Sequence, residues 1–228
     1  MSDRGHTVKA FDEELEQLKS SIKAMMGLAG EQVQRAMQAL TTGNEVLAAK
    51  TIASDSKVNR LQESVNDCTL RLLAMRQPVA RDLRLIMAAH RMADDLERIA
   101  DYAVGIARRS LEQAGMDLGD PVETLGEMGR VALEMLDKVK QAFENSDIDL
   151  AVEAWEQDDQ IDDRYTEAIK ELQTTMTSDP ACVAPCMALL NAAKAIERIG
   201  DHTTNLSEEI YFAATGDKLV ESNPNHNH

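Results

Sequence analysis

Apolar residues recur along this chain at alternating spacings of three and four, the pattern of amphipathic helices that pack on one another. The clearest apolar seam lies before the middle of the chain and consists of Leu85, Ala89, Met92, Leu96, Ile99, Ala103 and Ile106. Residues typical of turns and helix ends interrupt the pattern at 41–44, 75–78, 114–121, 144–147, 177–180 and 215–219. The pattern therefore predicts six helices in two sets of three.

The second half of the chain repeats the first. Residues 34–61 align with residues 137–164 at an offset of 103, and the motif ERIAD at 97–101 returns as ERIGD at 197–201. Self-similarity at a fixed spacing indicates a duplicated structural unit. We therefore expect an all-α protein of two tandem three-helix bundles related by an internal repeat, with domains over 1–116 and 117–216 and a disordered tail over 217–228.

The net charge of −16 is distributed unevenly. Residues 1–114 carry equal numbers of basic and acidic residues, so the whole acidic excess lies after residue 114. Such a surface repels nucleic-acid phosphates and anionic lipid headgroups, so we expect no nucleic-acid partner and no direct membrane insertion. No apolar run approaches the ~20 residues of a membrane span, and the start of the chain lacks the apolar core of a secretory signal. A cytoplasmic location is therefore expected.

Acidic residues form a row on the last helix of each set. On a helical wheel Asp94 and Asp101 lie within about 60° of Glu97, far from the apolar seam, so the row is expected to face away from the core. The row of the second set consists of Glu197, Asp201, Asn205 and Glu208. Like charges one turn apart destabilise a helix, and here that cost occurs twice at equivalent positions. Oxygen ligands of this kind suit Mg, Mn, Fe or Zn ions.

Two further pairs of oxygen ligands stand at aligned positions on the second helix of each set, Asp55 with Asn59 and Asp158 with Asp162. They could meet the acidic rows across a groove between neighbouring helices. The alternative is that all these side chains are ordinary solvated helix surface, partly neutralised by nearby arginines. The residues alone leave both interpretations open.

The motifs ERIADYAVGIA and ERIGDHTTNLSEEIYFAATG, each on the last helix of a three-helix unit, resemble the PhoU family of phosphate-transport accessory regulators. The resemblance covers about residues 5 to 216. It implies a cytoplasmic, all-helical, often dimeric signalling protein that restrains the phosphate-starvation response. It further implies a homodimer, and contacts with the ATPase subunit of the phosphate ABC transporter and with a membrane sensor histidine kinase.

The resemblance also implies divalent or trivalent metal ions, Fe, Mn, Mg or Zn, bound by the ExxxD faces. Residue by residue this carries over to Glu97, Asp101, Glu197 and Asp201, and Asp94 and Asn205 are plausible additional ligands on the same faces. Lys194 stands where the first repeat has Asp94, and Gly105 where the second has Asn205. The two sites are therefore not expected to be equal.

An enzyme is the less favoured class. Ferritin-like oxidases need Glu-x-x-His pairs, and neither His90 nor His202 has a glutamate three residues before it. The sequence contains no GxxxxGK phosphate loop and no GxSxG elbow. A non-enzymatic regulator is therefore predicted, and a passive helical scaffold without metal is the main alternative.

Overall fold

The computed structural model describes residues 3–54, 56–112 and 118–219, with side chains from residue 10 onward. Its helices are α1 Asp3–Thr42, α2 Glu45–Ala53, α3 Ser56–Arg76, α4 Ala80–Glu112, α5 Asp120–Asn145, α6 Ile148–Glu156, α7 Asp159–Ser178 and α8 Val183–Thr215. A 3-10 turn over Pro180–Cys182 precedes α8. These described residues contain no β-strand, so the predicted all-α class is confirmed.

The prediction of six unbroken helices is wrong by one break in each repeat. The predicted second helix is divided into α2 and α3, and its counterpart into α6 and α7. At the first break the Ser54 hydroxyl donates to the carbonyl of Thr51 at 2.7 Å, a side-chain bond that competes with the helical ladder. The second break falls at Gln157 and Asp158, and it makes Asp158 the N-cap residue of α7.

The duplication extends to the helix caps. Asn44 Oδ1 accepts a hydrogen bond from the Leu47 amide at 3.0 Å at the start of α2. At the start of α6, 103 positions later, Asp147 Oδ1 accepts from the Leu150 amide at 3.1 Å. Each cap satisfies a backbone N–H that has no partner inside its helix. The same turn is therefore built twice from different residues.

The two repeats pack on each other mainly through α4 and α8. These helices run antiparallel, since Arg91 Nη1 lies 2.9 Å from Glu209 Oε1, while further along α4 the ring of Tyr102 lies 5.7 Å from that of His202. Tyr102 and His202 are equivalent positions, so the repeats meet around an approximate twofold axis. The buried apolar side chains, including the predicted seam residue Ile99 and its counterpart Ile199, form one core through both repeats.

Two sequence predictions fall outside the described residues. The predicted domain boundary at 116 lies in the segment 113–117, and most of the predicted tail lies in 220–228. Asp55, one of the candidate ligands, also lies outside them.

Candidate metal-binding grooves

The acidic rows lie on α4 and α8, but their glutamates are not on open surface. The side chain of Glu197 is 14% exposed and that of Glu97 is 18% exposed, whereas Asp101 is 44% exposed. The prediction that the rows face away from the core holds for their aspartates and for Asn205 but not for Glu97 and Glu197. The helical wheel measured the angle from one seam, but α4 and α8 each also pack against a second neighbour, α3 and α7 respectively.

We call the space between α7 and α8 the second-repeat groove, defined by Asp158, Asp162, Glu197 and Asp201. Its centre is the contact of Asp158 with Gly200. A Cβ atom built on Gly200 would lie 2.5 Å from Asp158 Oδ1 and 3.0 Å from Ile161 Cδ1. Because that space is closed to any side chain, glycine is what allows the Asp158 carboxylate to approach the α8 backbone. The counterpart of Gly200 in the first repeat is Ala100.

The carboxylate of Asp158 sits in an environment that disfavours its charge. Burial is the largest cause, and the charges of Asp162, Asp201, Glu197 and Asp159 add to it, so that the pKa of Asp158 is raised from 3.8 to about 7. The structure therefore brings together, around one partly buried carboxylate, acidic side chains from both helices of the groove.

Basic residues of α8 occupy part of this groove. Lys194 Nζ donates to Glu197 Oε1, and Arg198 Nη1 donates to Asp201 Oδ2 at 3.0 Å. Glu197 Oε2 is fully buried and accepts no hydrogen bond, with Arg198 Nε 3.8 Å away. The groove thus holds one buried oxygen acceptor that its own protein neighbours leave unsatisfied.

The equivalent first-repeat groove lies between α3 and α4 and is defined by Asn59, Glu97 and Asp101. Arg98 lies 3.7 Å from Glu97 Oε2 and 3.8 Å from Asp101 Oδ2. Asn59 Oδ1 is buried and accepts no hydrogen bond. Asn59 stands where the second repeat has Asp162, so this groove offers a neutral oxygen in place of a carboxylate.

The two additional candidate ligands make other contacts. Asp94 is exposed and accepts a hydrogen bond from Gln62 Nε2 on α3 at 2.8 Å. Asn205 donates its amide to Asp95 Oδ1 on α4 at 3.1 Å, across the interface of the repeats. Asp94 thus bridges α3 and α4, and Asn205 belongs to the contact between α4 and α8.

Sequence reasoning missed Asp95 and the importance of Gly200. Asp95 Oδ1 also lies 2.8 Å from His202 Nδ1, which makes this carboxylate a polar link between the repeats. The signal for Gly200 was present in the sequence as the difference between ERIAD and ERIGD. Its meaning depends on which side chain approaches from α7, which only the folded chain reveals.

Within the described ranges no group of three or more His, Cys, Asp or Glu side chains is already arranged as a ligand set for a metal ion. The same ranges contain no helix that is both long enough and apolar enough to cross a bilayer. The second-repeat groove is therefore an acidic, partly buried cleft. It contains one acceptor without a hydrogen bond, Glu197 Oε2, and two cationic side chains, Lys194 paired with Glu197 and Arg198 paired with Asp201.

The fold and its grooves define a duplicated all-helical protein in which each repeat ends in a long helix bearing an ExxxD motif. The sequence model of the PhoU domain matches residues 22–110 and again residues 125–210. The chain belongs to the PhoU family.

Curated relatives agree over nearly the whole chain. The phosphate-specific transport system accessory protein PhoU homolog of Caulobacter vibrioides (strain NA1000 / CB15N) is 36% identical over 220 residues, covering 96% of both chains. The Escherichia coli K12 protein, named phosphate-specific transport system accessory protein PhoU, is 33% identical over 211 residues, covering 92% of this chain and 88% of its own. Both relatives are named as accessory proteins rather than as enzymes.

Solved structures show the same fold. The crystal structure of PhoU from Pseudomonas aeruginosa superposes with a TM-score of 0.88 at 33% identity, covering 91% of this chain and all of that one. That of the phosphate transport system regulatory protein PhoU from Streptococcus pneumoniae gives a TM-score of 0.86 at 28% identity, covering 92% and all of the respective chains. The predicted pair of tandem repeats is therefore confirmed.

Proposed function

We propose that this chain is a non-enzymatic, cytoplasmic regulator of a phosphate transport system, and that it binds a metal ion in the second-repeat groove. The regulatory part is supported by relatives named as accessory proteins of that system. The metal part is carried by one observation, the partly buried Asp158 carboxylate packed against Gly200 among other carboxylates.

A cation would relieve two costs in this groove. It would favour the ionised form of Asp158, which burial and neighbouring negative charges now disfavour. It would also give Glu197 Oε2 a partner, and a buried acceptor without one is destabilising by about 1–3 kcal/mol. Four carboxylates supply only oxygen donors, which fits Mg, Mn or Fe better than a soft metal, and Zn less well. The residues that would hold the ion are Asp158, Asp162, Glu197 and Asp201.

The first-repeat groove would bind more weakly. Glu97 and Asp101 remain as ligands, but Asn59 replaces a carboxylate with a neutral amide. Asp94 and Asn205 would have to give up their present contacts with Gln62 and Asp95 to join a ligand set. We therefore assign the tighter site to the second repeat.

The regulatory action would proceed through protein contacts. In this proposal the chain, as a homodimer, contacts the ATPase subunit of the phosphate ABC transporter and a sensor histidine kinase, and it holds the phosphate-starvation response in check when phosphate is abundant. A protein of this kind works by binding one conformation of its partner better than another. Bound metal would add positive charge to the α7–α8 face and make it more rigid, and this face would take part in the contact with a partner protein.

Metal analysis tests the proposal directly. The protein is purified without a metal-affinity step and with His226 and His228 changed to Ala, so that the terminal histidines cannot bind metal adventitiously. We expect near-stoichiometric metal in this protein and its loss in Glu197→Gln/Asp201→Asn. The matched control is Asp163→Asn/Glu167→Gln, an exposed acidic pair with the same spacing on α7. Equal metal in both double variants would refute the site.

The passive scaffold is favoured by one observation, the ion pairs that Lys194 and Arg198 already make with Glu197 and Asp201. In that case the wild-type protein contains no metal. The Glu197→Gln/Asp201→Asn variant would then still repress phosphate-responsive transcription in a deletion strain. A reporter of that transcription, measured in high phosphate, separates the two functions.

A further inference from the structure

The turn between α3 and α4 presents an unusual concentration of apolar surface. We call it the α3–α4 tip and define it by Leu70, Met75, Val79 and Leu83 together with the arginines between residues 70 and 84. Leu70 is 66% exposed, Met75 69% and Val79 73%. Exposed apolar residues gathered in one short segment, rather than scattered singly, are typical of interaction sites.

The same segment is basic in an acidic protein. It carries four arginines, Arg71, Arg76, Arg81 and Arg84, against one acidic residue, Asp82. Arg76 binds Glu14 at 3.1 Å and is mostly covered, whereas Arg71 is about half exposed and 3.9 Å from Glu14. Arg81 is exposed and forms no ion pair with any residue that the structure describes. The tip therefore combines apolar side chains with accessible positive charge.

The second repeat shows that the fold does not require these residues. At the positions equivalent to Leu70, Met75 and Val79, the turn that leads into α8 has Gln173, Ser178 and Asp179. Arg71 and Arg81 correspond to Thr174 and Ala181, and residues 173–184 contain no lysine or arginine. Both turns connect equivalent helices in equivalent repeats. The exposed apolar side chains of the tip and its exposed Arg81 are therefore not needed to connect these helices.

The backbone of the tip is strained. Gln77 and Ala80 have φ angles of 46° and 48°, in the left-handed region that costs a non-glycine residue roughly 1–2 kcal/mol. The strained pair brackets Pro78 and Val79, and the Val79 side chain is the most exposed large apolar group among the described residues. Strain of this kind persists where the surrounding structure holds it, commonly at functional segments.

We propose that the α3–α4 tip is a docking surface for an acidic, apolar-bearing segment of a partner protein. The inference rests on the proposed function, in which the chain acts through protein contacts. Methionine and arginine are enriched at the centres of protein interfaces. Carboxylates of the partner would pair with Arg71 and Arg81, while its apolar side chains cover Met75 and Val79.

The charge distribution favours a protein segment over an anionic membrane or a nucleic acid. Attraction at the tip acts over about one Debye length, ~8 Å in physiological salt. A partner segment can remain within that range. A planar membrane or a long polyanion would also meet the acidic remainder of a chain with net charge −16.

Site-directed photocrosslinking in cells tests the proposal. The crosslinking residue p-benzoylphenylalanine replaces Val79, and in the matched control it replaces Val183, which is 41% exposed at the equivalent corner of the second repeat. Crosslinked peptides are sequenced. We expect position 79 to react with a protein segment that contains both Asp or Glu and large apolar residues, and position 183 not to react with that segment.

A second variant tests the chemistry of the contact. Leu70→Gln, Met75→Ser and Arg81→Ala introduce the residues of the second repeat at three exposed positions, so folding should be retained and is checked by the thermal midpoint. We expect about a tenfold loss of the crosslinked product at position 79, the effect of truncating central interface residues. Val183→Ser/Met187→Ser, which removes exposed apolar groups at the other corner, should leave the yield unchanged.

The outcomes separate this inference from the proposed function. Crosslinks at position 79 to lipid, to nucleic acid, to a second copy of this chain, or no more product than at position 183, would overturn the docking surface. The docking surface would also be overturned by a second result. In this result, deletion of the chain abolishes repression of the phosphate-responsive reporter, and the tip variant, returned to the deletion strain, restores repression fully. If deletion itself leaves the reporter unchanged, the proposed function fails instead.

Discussion

Replacing Asp158 by asparagine should stabilise the metal-free protein at neutral and alkaline pH. The pKa of Asp158 is raised from 3.8 to about 7 by burial and by neighbouring carboxylates. At about 1.4 kcal/mol per unit, a difference of roughly three units corresponds to about 4 kcal/mol. Asparagine has the same shape and should keep the contact with Gly200, so it removes this cost without opening a cavity.

The sign of the pH dependence follows from linkage. The folded state holds the Asp158 proton more tightly than the unfolded state, so the wild-type free energy of unfolding falls as the pH rises from about 4 to about 7. Below about pH 3 Asp158 is protonated in both states, since the ordinary pKa is 3.8, and Asp158→Asn should be nearly neutral. The gain should reach up to about 4 kcal/mol at pH 8 and be less than half of that at pH 5.

Urea unfolding followed by circular dichroism at pH 5 and pH 8, in EDTA, measures the effect. The control is Asp163→Asn, which removes an exposed carboxylate from the same helix and should change stability by less than 0.5 kcal/mol. A gain of the same size at both pH values, or none at pH 8, would contradict the reasoning. Millimolar Mn²⁺ should then reduce the gain at pH 8, because a ligand that binds the folded wild type better than the variant stabilises it by mass action.

Four further substitutions test the described contacts and the backbone strain. Gly200→Ala should destabilise the fold by about 1–3 kcal/mol because its Cβ would lie 2.5 Å from Asp158 Oδ1. Gly27→Ala, whose Cβ would meet nothing within 4 Å, should instead stabilise α1 by up to about 1 kcal/mol. The midpoints of urea unfolding of the two variants test both expectations. Asp147→Ala removes the cap of the Leu150 amide and should lower the free energy of unfolding by about 1 kcal/mol. A change within experimental error would show that this cap does not stabilise the fold. Ala80→Gly should raise stability by up to about 1 kcal/mol, because glycine adopts a φ of 48° without strain, and a loss would contradict this.

The helices, the repeat and the candidate motifs could be predicted from sequence because each depends on local periodicity. The seam through Ile99 needs only the 3.6-residue turn, and the offset of 103 needs only an alignment of the chain with itself. The break before α7 could not be predicted in the same way. The stretch around Asp158 continues the helical pattern, and the chain bends there to pack α6 and α7 separately against α5 and α8.

The burial of Glu97 and Glu197 also lay beyond the sequence. A helical wheel describes one helix, while exposure depends on how many neighbours cover it. The meaning of glycine in ERIGD depends likewise on a contact between residues 158 and 200, which no spacing along the chain encodes. These are consequences of tertiary packing, and they decide which carboxylates of the rows can act together.

The divergence of the two repeats connects the groove with the tip. Where the second repeat has Asp162 and Gly200, the first has Asn59 and Ala100. Where the second has Gln173 and Asp179 at its turn, the first exposes apolar and basic side chains. Both repeats retain the same helices, but only the second has the acidic groove with Gly200, and only the first has the apolar and basic tip. Because the backbone plan is common to both, it does not by itself require these differences, which is why exchanging residues between repeats is the appropriate way to assign a function to each.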